Sequence, residues 1–230
     1  MTEKYNYLIV GSGLFGATFA YRAKQLGKTC LVIDKRSHLG GISVREASAV
    51  DLCKNHFGVD AALVLDPTLL LNKEDYEKVC NDIPKKEKHI LVYSLVVGES
   101  VMNVASKVSE AKGLPIVVKE AGGKVKKEDT IEDWFAEFRD AEYVVTDSFH
   151  GMVFSIIFNK PFSIVMNPSG GNDRYISLLS QLGLMDRIIK DNQISSLESI
   201  NWDGVNKKLE VLRLESMNFL KVNFNQTHEE

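Results

Sequence analysis

The sequence predicts an α/β protein made of two Rossmann-like units with mostly parallel sheets. Apolar runs of strand length alternate with amphipathic runs of helix length through almost all of the 230 residues. This alternation is typical of parallel strands joined by crossover helices that cover both faces of a sheet. The charged segment PKKEKH, residues 84–89, separates two such series. We therefore expect one unit over residues 1–88 and a second over residues 89–230.

The elements of each series follow from their pattern. In the first unit, the strand-like runs are YLIVG, CLVID, ISVRE and LVLDP, and the helix-like runs are LFGATFAYRAKQLG and SAVDLCKNHFG. In the second unit, the strand-like runs are ILVYSL, PIVVKE, YVVTDSF and FSIVMN, and the helix-like runs are ESVMNVASKVSEAKG, TIEDWFAEFRDA, GMVFSIIFNK and RYISLLSQLG. The tail WDGVNKKLEVLRLESMNFLKVNF carries apolar residues at helical spacing, which predicts a long final helix.

Composition and charge exclude several functional classes. A net charge of −3 argues against nucleic-acid binding, which needs a basic surface. The apolar runs are too short to cross a membrane, and the first residues show no secretory signal, so we expect a cytoplasmic protein that is not transmembrane. Cys30, Cys53 and Cys80 are far apart and odd in number, which indicates reduced core thiols without a disulfide or a metal site.

A glycine fingerprint for dinucleotides lies near the start of the chain. Gly11, Gly13 and Gly16 follow the spacing G-x-G-x-x-G between a strand-like and a helix-like run. Glycines at these positions allow a tight turn and a close approach of the backbone to a pyrophosphate, which the helix N-terminus favours. Asp34 ends the next strand, where a carboxylate can accept hydrogen bonds from a ribose. These four residues are candidate cofactor contacts.

The amino-acid sequence of this segment resembles that of a flavoenzyme family. The phrases YLIVGSGLFGATFA and LVIDKRSHLGG, within residues 5–41, are similar to the N-terminus of UDP-galactopyranose mutase, a FAD enzyme that interconverts two ring forms of UDP-galactose. The resemblance stops at Gly41, and no later segment resembles the part of that family that holds the flavin ring. The segment is therefore either a structural strand–helix–strand unit or a vestigial dinucleotide site, and FAD is expected only if the protein works as a mutase.

From Ile42 onward the chain resembles the polysaccharide pyruvyl transferase family. The phrases that carry the resemblance, over about residues 42–225, are ISVREASAVDLCKNHFGVDA, LVLDPTLLLNKEDY, YVVTDSFHGMVFSIIFNKPF, RYISLLSQLGLMDRII and INWDGVNKKLEVLRLESMNFLK. The resemblance implies two Rossmann-like domains facing a cleft, as in GT-B glycosyltransferases, and transfer of enolpyruvyl from phosphoenolpyruvate to a sugar of a surface glycan. The family has a longer N-terminal domain, so residues 1–88 are expected to be a truncated hybrid of segments 1–41 and 42–88.

The turn after the strand YVVTDSF is the main candidate for chemistry. Asp147, Ser148 and His150 lie in TDSFHG, where a strand ends and a helix begins, and open α/β sheets bind ligands at such ends. Asp147 or Ser148 can cap the helix, and the helix start favours an anion. We expect His150 to be the catalytic proton donor or acceptor and Ser148 to contact the substrate.

Two arginines are candidate contacts for the phosphate or carboxylate of phosphoenolpyruvate. Arg45 follows the strand ISV, and Arg174 lies between a glycine-rich loop and a helix. A guanidinium group matches such anions with two hydrogen bonds. Glu46 and Asp66 are candidates for orienting carboxylates, although a structural role is equally compatible with their positions.

Three interpretations remain at this stage. The first is a cytoplasmic pyruvyl transferase of exopolysaccharide synthesis, with phosphoenolpyruvate and a glycan or lipid-linked sugar as partners and no cofactor. The second is a FAD-dependent mutase-like protein, which only residues 5–41 support. The third is a recombined fragment without catalytic activity.

Overall fold

A computed structural model describes residues 5–10, 23–24, 26–33, 43–121, 130–166, 170–189, 197 and 199–225. Contacts divide the chain into two compact units, one formed by Met1–Val64 with Asn218–Glu230 and the other by Leu65–Met217. These units are defined by contacts alone. The assignment of residues 1–88 and 89–230 to two Rossmann-like domains, and their GT-B-like arrangement, stay predictions.

The first unit contains two pairs of parallel strands. Strand β1, Tyr7–Val10, pairs with β2, Cys30–Ile33, and β3, Ser43–Val44, pairs with β4, Ala62–Leu63. Helix α1, Ala47–Phe57, connects β3 to β4. Most of the predicted helix LFGATFAYRAKQLG lies outside the described residues.

A small apolar core lies between α1 and its neighbouring strands. Val44, Ala49 and Cys53 are buried there. Helix α1 ends at Gly58, which has a φ of 66°. This left-handed conformation is easily reached by glycine and terminates the helix.

The second unit is built on a parallel four-stranded sheet with the order β6-β5-β7-β8. The strands are β5 (His89–Ser94), β6 (Ile116–Glu120), β7 (Ala141–Thr146) and β8 (Phe162–Ile164). The α/β class with parallel sheets is therefore confirmed, and each strand of this sheet coincides with a predicted run.

Six helices belong wholly or mainly to this unit among the described residues. They are α2 (Lys73–Val79), α3 (Glu99–Lys112), α4 (Ile131–Asp140), α5 (Phe149–Ile157), α6 (Asp173–Leu182) and α7 (Trp202–Asn225), of which the last extends into the first unit. Short 3-10 turns occur at Pro67–Leu70 and Met185–Arg187. The long final helix is confirmed.

The sheet is apolar on both faces, which explains its continuous hydrophobic runs. On one face, Ile90 and Val92 of β5 pack with Val104 and Val108 of α3. On the other face, Leu91 belongs to the larger core, which also contains buried residues of α4, α5, α6 and α7. A parallel sheet that is covered on both sides has this pattern. Apolar and polar residues therefore do not alternate with a period of two along these strands.

The aromatic residues of α4 are part of that larger core. Phe135 and Phe138 are buried, and Trp134 packs edge-on against Phe154 with ring centroids 4.8 Å apart. The segment WFAEF of α4 is therefore part of the core. Cys53 and Cys80 are buried free thiols, which confirms the expectation for these two, and Cys30 is half-buried.

Residues 63–89 differ from their prediction. The run LVLDP was expected to be a strand, but strand pairing ends at Leu63 and Asp66 caps the following 3-10 turn, in which Pro67 is the first residue. The segment PKKEKH lies inside the second unit, where the Lys86 amide donates to Asp140 (2.9 Å) and its ammonium group pairs with buried Glu137 (3.0 Å). Specific hydrogen bonds to α4 therefore hold this charged segment in place.

Candidate active site

The carboxyl ends of β5 and β7 lie next to each other where the sheet changes its direction of winding. From β5 the chain crosses to β6 on one side and then returns to β7 on the other side. Parallel α/β sheets bind their ligands outside the carboxyl ends of the strands at such a point. The second unit therefore has a candidate site at Ser94 and at residues 146–151.

Asp147 joins the ends of the two strands. Its carboxylate accepts hydrogen bonds from the Ser94 hydroxyl (2.9 Å) and from the Leu95 backbone N–H (2.7 Å). Its backbone carbonyl accepts a third bond from the Tyr175 hydroxyl (2.7 Å), which brings α6 to the same place. Because both carboxylate oxygens are engaged, Asp147 holds the frame of the site together.

Ser148 caps helix α5. Its hydroxyl accepts a hydrogen bond from the backbone N–H of Gly151 (3.4 Å), and its own N–H donates to the Thr146 hydroxyl (3.0 Å). Of the two residues expected to cap this helix, Ser148 does so and Asp147 does not. Ser148 is buried, and its contact with a substrate stays a prediction.

Gly151 allows α5 to begin directly against the sheet. A Cβ atom at this position would overlap the Thr146 hydroxyl oxygen and would lie 2.9 Å from Thr146 Cβ and 3.0 Å from Tyr93 Cδ1. The glycine of TDSFHG is therefore required by packing. The first turn of α5 is held close to the strand ends, and its N–H groups lie at the predicted ligand edge.

His150 is the exposed residue of an otherwise buried helix. Every other residue of α5 is buried, whereas 46% of the His150 side chain is accessible. Its Nε2 atom lies 3.8 Å from Oδ1 of Asp66, a carboxylate that is only 3% exposed. The position of His150 at the start of α5 agrees with the sequence analysis, and its catalytic role stays a prediction.

Arg174 lies beside the same aromatic ring as His150. Its guanidinium carbon is 5.1 Å from the centroid of the Phe149 ring, and the His150 ring is 5.6 Å from that centroid. Arg174 is in the first turn of α6, and the next residue, Tyr175, packs edge-on against Phe149. Stacking on an aromatic face orients a guanidinium group and leaves its N–H edge open to an anion.

Burial sets the protonation of Tyr175. Removal from water raises the pKa of this phenol above its ordinary value; Arg174 partly opposes the change and Asp147 adds to it. Tyr175 therefore stays a neutral hydrogen-bond donor to the Asp147 carbonyl across the physiological range. The bond between α6 and the end of β7 does not depend on pH near neutrality.

The remaining predicted site residues belong to the first unit. Arg45 is exposed and directly follows β3, as expected, and Glu46 is the N-cap residue of α1 without a side-chain capping bond. The contact of Arg45 with a substrate and the orienting role of Glu46 stay predictions. The predicted dinucleotide contacts Gly11, Gly13, Gly16 and Asp34 lie outside the described residues.

His89 is a structural residue of the second unit. It is buried at the start of β5, with Nδ1 2.8 Å from the Glu87 carbonyl and Nε2 3.3 Å from Glu137. His56 lies in the last turn of α1. His38 and His228 lie outside the described residues.

Three residues of the site were not found from the sequence. Ser94, Thr146 and Tyr175 connect the strand ends with α5 and α6. Ser94 and Thr146 are the last residues of β5 and β7, and the available signal was a polar residue within or directly after an apolar run. Tyr175 follows Arg174 at a helix start, but its bond to a residue 28 positions earlier has no local sequence signal.

Two features are absent from the described part of the chain. No cluster of histidine, cysteine or carboxylate groups that could hold a metal ion occurs among those residues. None of their helices is long and apolar enough to cross a membrane.

A comparison with known families identifies the family of this chain. A model of the polysaccharide pyruvyl transferase family matches residues 4–169 of the 230-residue chain. The match includes Arg45, Asp66 and His150 and ends before Arg174. It starts earlier than expected, since it also covers residues 5–41, whose resemblance to UDP-galactopyranose mutase stays a prediction. The chain belongs to the polysaccharide pyruvyl transferase family.

Proposed function

We propose that this protein transfers the pyruvyl unit of phosphoenolpyruvate to two hydroxyl groups of a sugar in a surface glycan or its lipid-linked precursor. The main support is the position of His150 and Arg174 beside one ring, Phe149, at the switch point of the sheet. An exposed proton-transfer group and a cation at a ligand-binding edge suit an anionic donor that must be protonated.

The donor is bound as an anion. The N-terminus of α5 favours negative charge, because the first N–H groups of a helix lack partners within it and the helix dipole is positive there. Arg174 adds a full positive charge next to this position. We assign the phosphate of phosphoenolpyruvate to this pair.

The proposed reaction begins with protonation. His150 gives a proton to the methylene carbon of the enol, which turns C3 into a methyl group and C2 into an oxocarbenium-like centre. One sugar hydroxyl adds to C2 and loses its proton. The C2–O bond to phosphate breaks, phosphate leaves, and a second hydroxyl adds to C2 and loses its proton to close the ketal. The overall reaction involves no net oxidation or reduction, so the proposal requires no cofactor.

Isotope labelling tests the proposed reaction. Phosphate release is measured with phosphoenolpyruvate and candidate glycan acceptors in D₂O, and the product is examined by NMR. Ketal formation should give a methyl group that carries one deuterium from the solvent. A product that keeps a vinylic CH₂ group would indicate transfer without ketal closure, and absence of any acceptor-dependent phosphate release would contradict the proposal.

The role of His150 is tested by His150→Gln. Glutamine cannot donate the proton but has similar bulk, so turnover should fall by roughly 10²–10⁴, the usual contribution of general acid catalysis. Because His150 is exposed, the melting temperature should stay close to that of the wild type. His56→Gln, at another exposed histidine, is the matched control and should keep the wild-type rate. A His150→Gln protein with full activity per folded molecule would remove His150 from the mechanism.

A further inference from the structure

We propose that Asp66 is a positioning residue that fixes the tautomer and orientation of His150. The inference rests on the proposed function, because it concerns the same histidine. It begins with an unusual feature, which is a buried carboxylate beside an exposed imidazole. Asp66 Oδ1 lies 3.8 Å from His150 Nε2, and the two side chains are 3% and 46% exposed.

The local fold explains an acceptor at position 66 but not a negative charge. Asp66 caps the 3-10 turn Pro67–Leu70, and its Oδ1 atom accepts hydrogen bonds from the Thr68 backbone N–H (3.1 Å) and from the Thr68 hydroxyl (2.7 Å). Neutral residues such as serine and asparagine cap equally well. A charged group is rarely buried unless it is paired, and pairing with a neighbouring imidazole is a second function that a carboxylate can have at this place.

The partner for that function is His150. The separation of 3.8 Å is that of an ion pair and is too long for a hydrogen bond. A small rotation of the exposed imidazole brings Nε2 into bonding range, and catalytic hydrogen bonds often shorten in this way when the substrate binds. A carboxylate beside Nε2 favours a hydrogen on that atom.

The consequence is a defined direction for proton transfer. With a hydrogen on Nε2 in every state of the ring, only Nδ1 gains and loses a proton during the reaction. Nδ1 is then the atom that faces the enol carbon, and the ring cannot use its other edge. Asp66 would act through His150 without touching the substrate.

The proposal predicts separate effects on chemistry and on binding. Asp66→Asn keeps an oxygen that can accept from Thr68, so the fold and KM for phosphoenolpyruvate should change less than about twofold. The value of kcat should fall by at least about tenfold, but not beyond the roughly 10²–10⁴ loss expected for His150→Gln. In the His150→Gln background, Asp66→Asn should cause no further loss, because residues that act as one unit are not additive.

Nitrogen NMR of histidine-labelled protein tests the pairing without relying on activity. The neutral wild-type ring of His150 should show the Nε2–H tautomer, and Asp66→Asn and Asp66→Ser should both shift it to a mixture. Serine is included because it can cap the turn but is too short to reach His150. Asp75→Asn is the matched control, since Asp75 also caps a helix start but bonds to Lys78 and Asn72, and it should leave the His150 signals unchanged.

The outcomes separate this inference from the proposed function. An unchanged tautomer in both Asp66 variants, or an unchanged kcat, overturns the positioning role. Failure of both variants to fold would show that the fold itself needs the carboxylate and would also overturn it. If the wild type releases no phosphate but its tautomer depends on Asp66, the proposed reaction fails while the pairing stands.

Discussion

The substitution Gly151→Ala should destabilise the second unit. A Cβ atom at position 151 would overlap the Thr146 hydroxyl oxygen and would lie 2.9 Å from Thr146 Cβ and 3.0 Å from Tyr93 Cδ1. Carbon atoms in good contact are about 3.5–4.0 Å apart. Neither Thr146 nor Tyr93 can yield easily, because Thr146 is buried and hydrogen-bonded at the end of β7 and the ring of Tyr93 packs edge-on against Trp134 and Phe138 of α4.

The hydrogen bonds of Thr146 determine the magnitude. Its hydroxyl donates to the Tyr93 carbonyl (2.5 Å) and accepts from the Ser148 N–H (3.0 Å), so rotation of the side chain breaks both bonds. Each bond contributes about 0.5–1.5 kcal/mol, and overpacking of a core costs about 1–3 kcal/mol. Alanine offsets part of this loss, since its helix propensity is about 1 kcal/mol better than that of glycine. The free energy of unfolding should therefore fall by about 1–5 kcal/mol.

Urea denaturation measures this loss, and Gly204→Ala provides the matched control. Gly204 also lies at the start of a helix and donates its N–H to a side chain, Asn201 Oδ1, at 3.2 Å. A Cβ atom there would lie 3.3 Å from Asn201 Nδ2, the end of a flexible side chain. Gly204→Ala should leave stability unchanged or raise it by up to about 1 kcal/mol. A Gly151→Ala protein within about 0.5 kcal/mol of the wild type would refute the packing argument.

Four further predictions follow from the site and its surroundings. Arg174→Ala should weaken phosphoenolpyruvate binding by about ten- to a hundredfold in calorimetry, because a charge-assisted contact contributes about 1.5–3 kcal/mol; equal affinity would remove Arg174 from the site. The free energy of unfolding of Asp147→Asn, measured in urea, should be close to that of the wild type, since an amide can still bond to Leu95 and Ser94. Asp147→Ala should lose about 1–3 kcal/mol of this free energy. Equal losses in the two variants would contradict this prediction. Burial acts to raise the pKa of Asp140, but hydrogen bonds from Arg139 and Lys86 outweigh this effect and hold the pKa below its ordinary value. Asp140→Asn should therefore destabilise the protein at pH 7 and progressively less below about pH 4. A loss of stability that is independent of pH would argue against this explanation. The purified protein should lack flavin absorbance after gel filtration, and a stoichiometric flavin spectrum would favour the mutase interpretation.

The elements of the second unit were predictable because their patterns are local. The run ILVYSL is apolar on both faces, and the run ESVMNVASKVSEAKG has one apolar face, so strand and helix follow from the residues themselves. The strand order was not predictable. A strand that is buried on both faces carries no information about its neighbours, so the position of β5 between β6 and β7 depends on the whole chain.

Helix α2 and the preceding turn were missed for a different reason. The segment LNKEDYEKV is short and charged, and hydrophobic periodicity does not identify such helices. Its signal is a capping box, in which the Asn72 side chain accepts from the Asp75 N–H while the Asp75 carboxylate accepts from the Asn72 N–H. Local polar bonding of the same kind, in which the Thr68 N–H donates to the Asp66 carboxylate, ends the predicted strand LVLDP early.

The candidate site was predictable in position but not in its contacts. The order strand, TDSFHG, helix places His150 at a ligand-binding edge without knowledge of the tertiary structure. Asp66 and His150, which lie close together, are 84 positions apart in the sequence. Ser94 and Asp147, which share a hydrogen bond, are 53 positions apart. Such contacts depend on how the helices pack on the sheet, which local propensity does not determine.

Within the segment 146–151, the residues that stabilise the fold differ from the residue proposed to carry out the chemistry. The side chains of Thr146, Asp147 and Ser148 are engaged in hydrogen bonds within the protein, and Gly151 is required by close packing. His150 is the residue of this segment whose side chain is exposed, so the fold does not determine its identity. Substitution of its neighbours should therefore lower stability first, whereas substitution of His150 should lower turnover at constant stability. If His150 were structural, these two patterns would be the same, so the comparison of Gly151→Ala with His150→Gln distinguishes the two cases with any acceptor sugar that supports turnover.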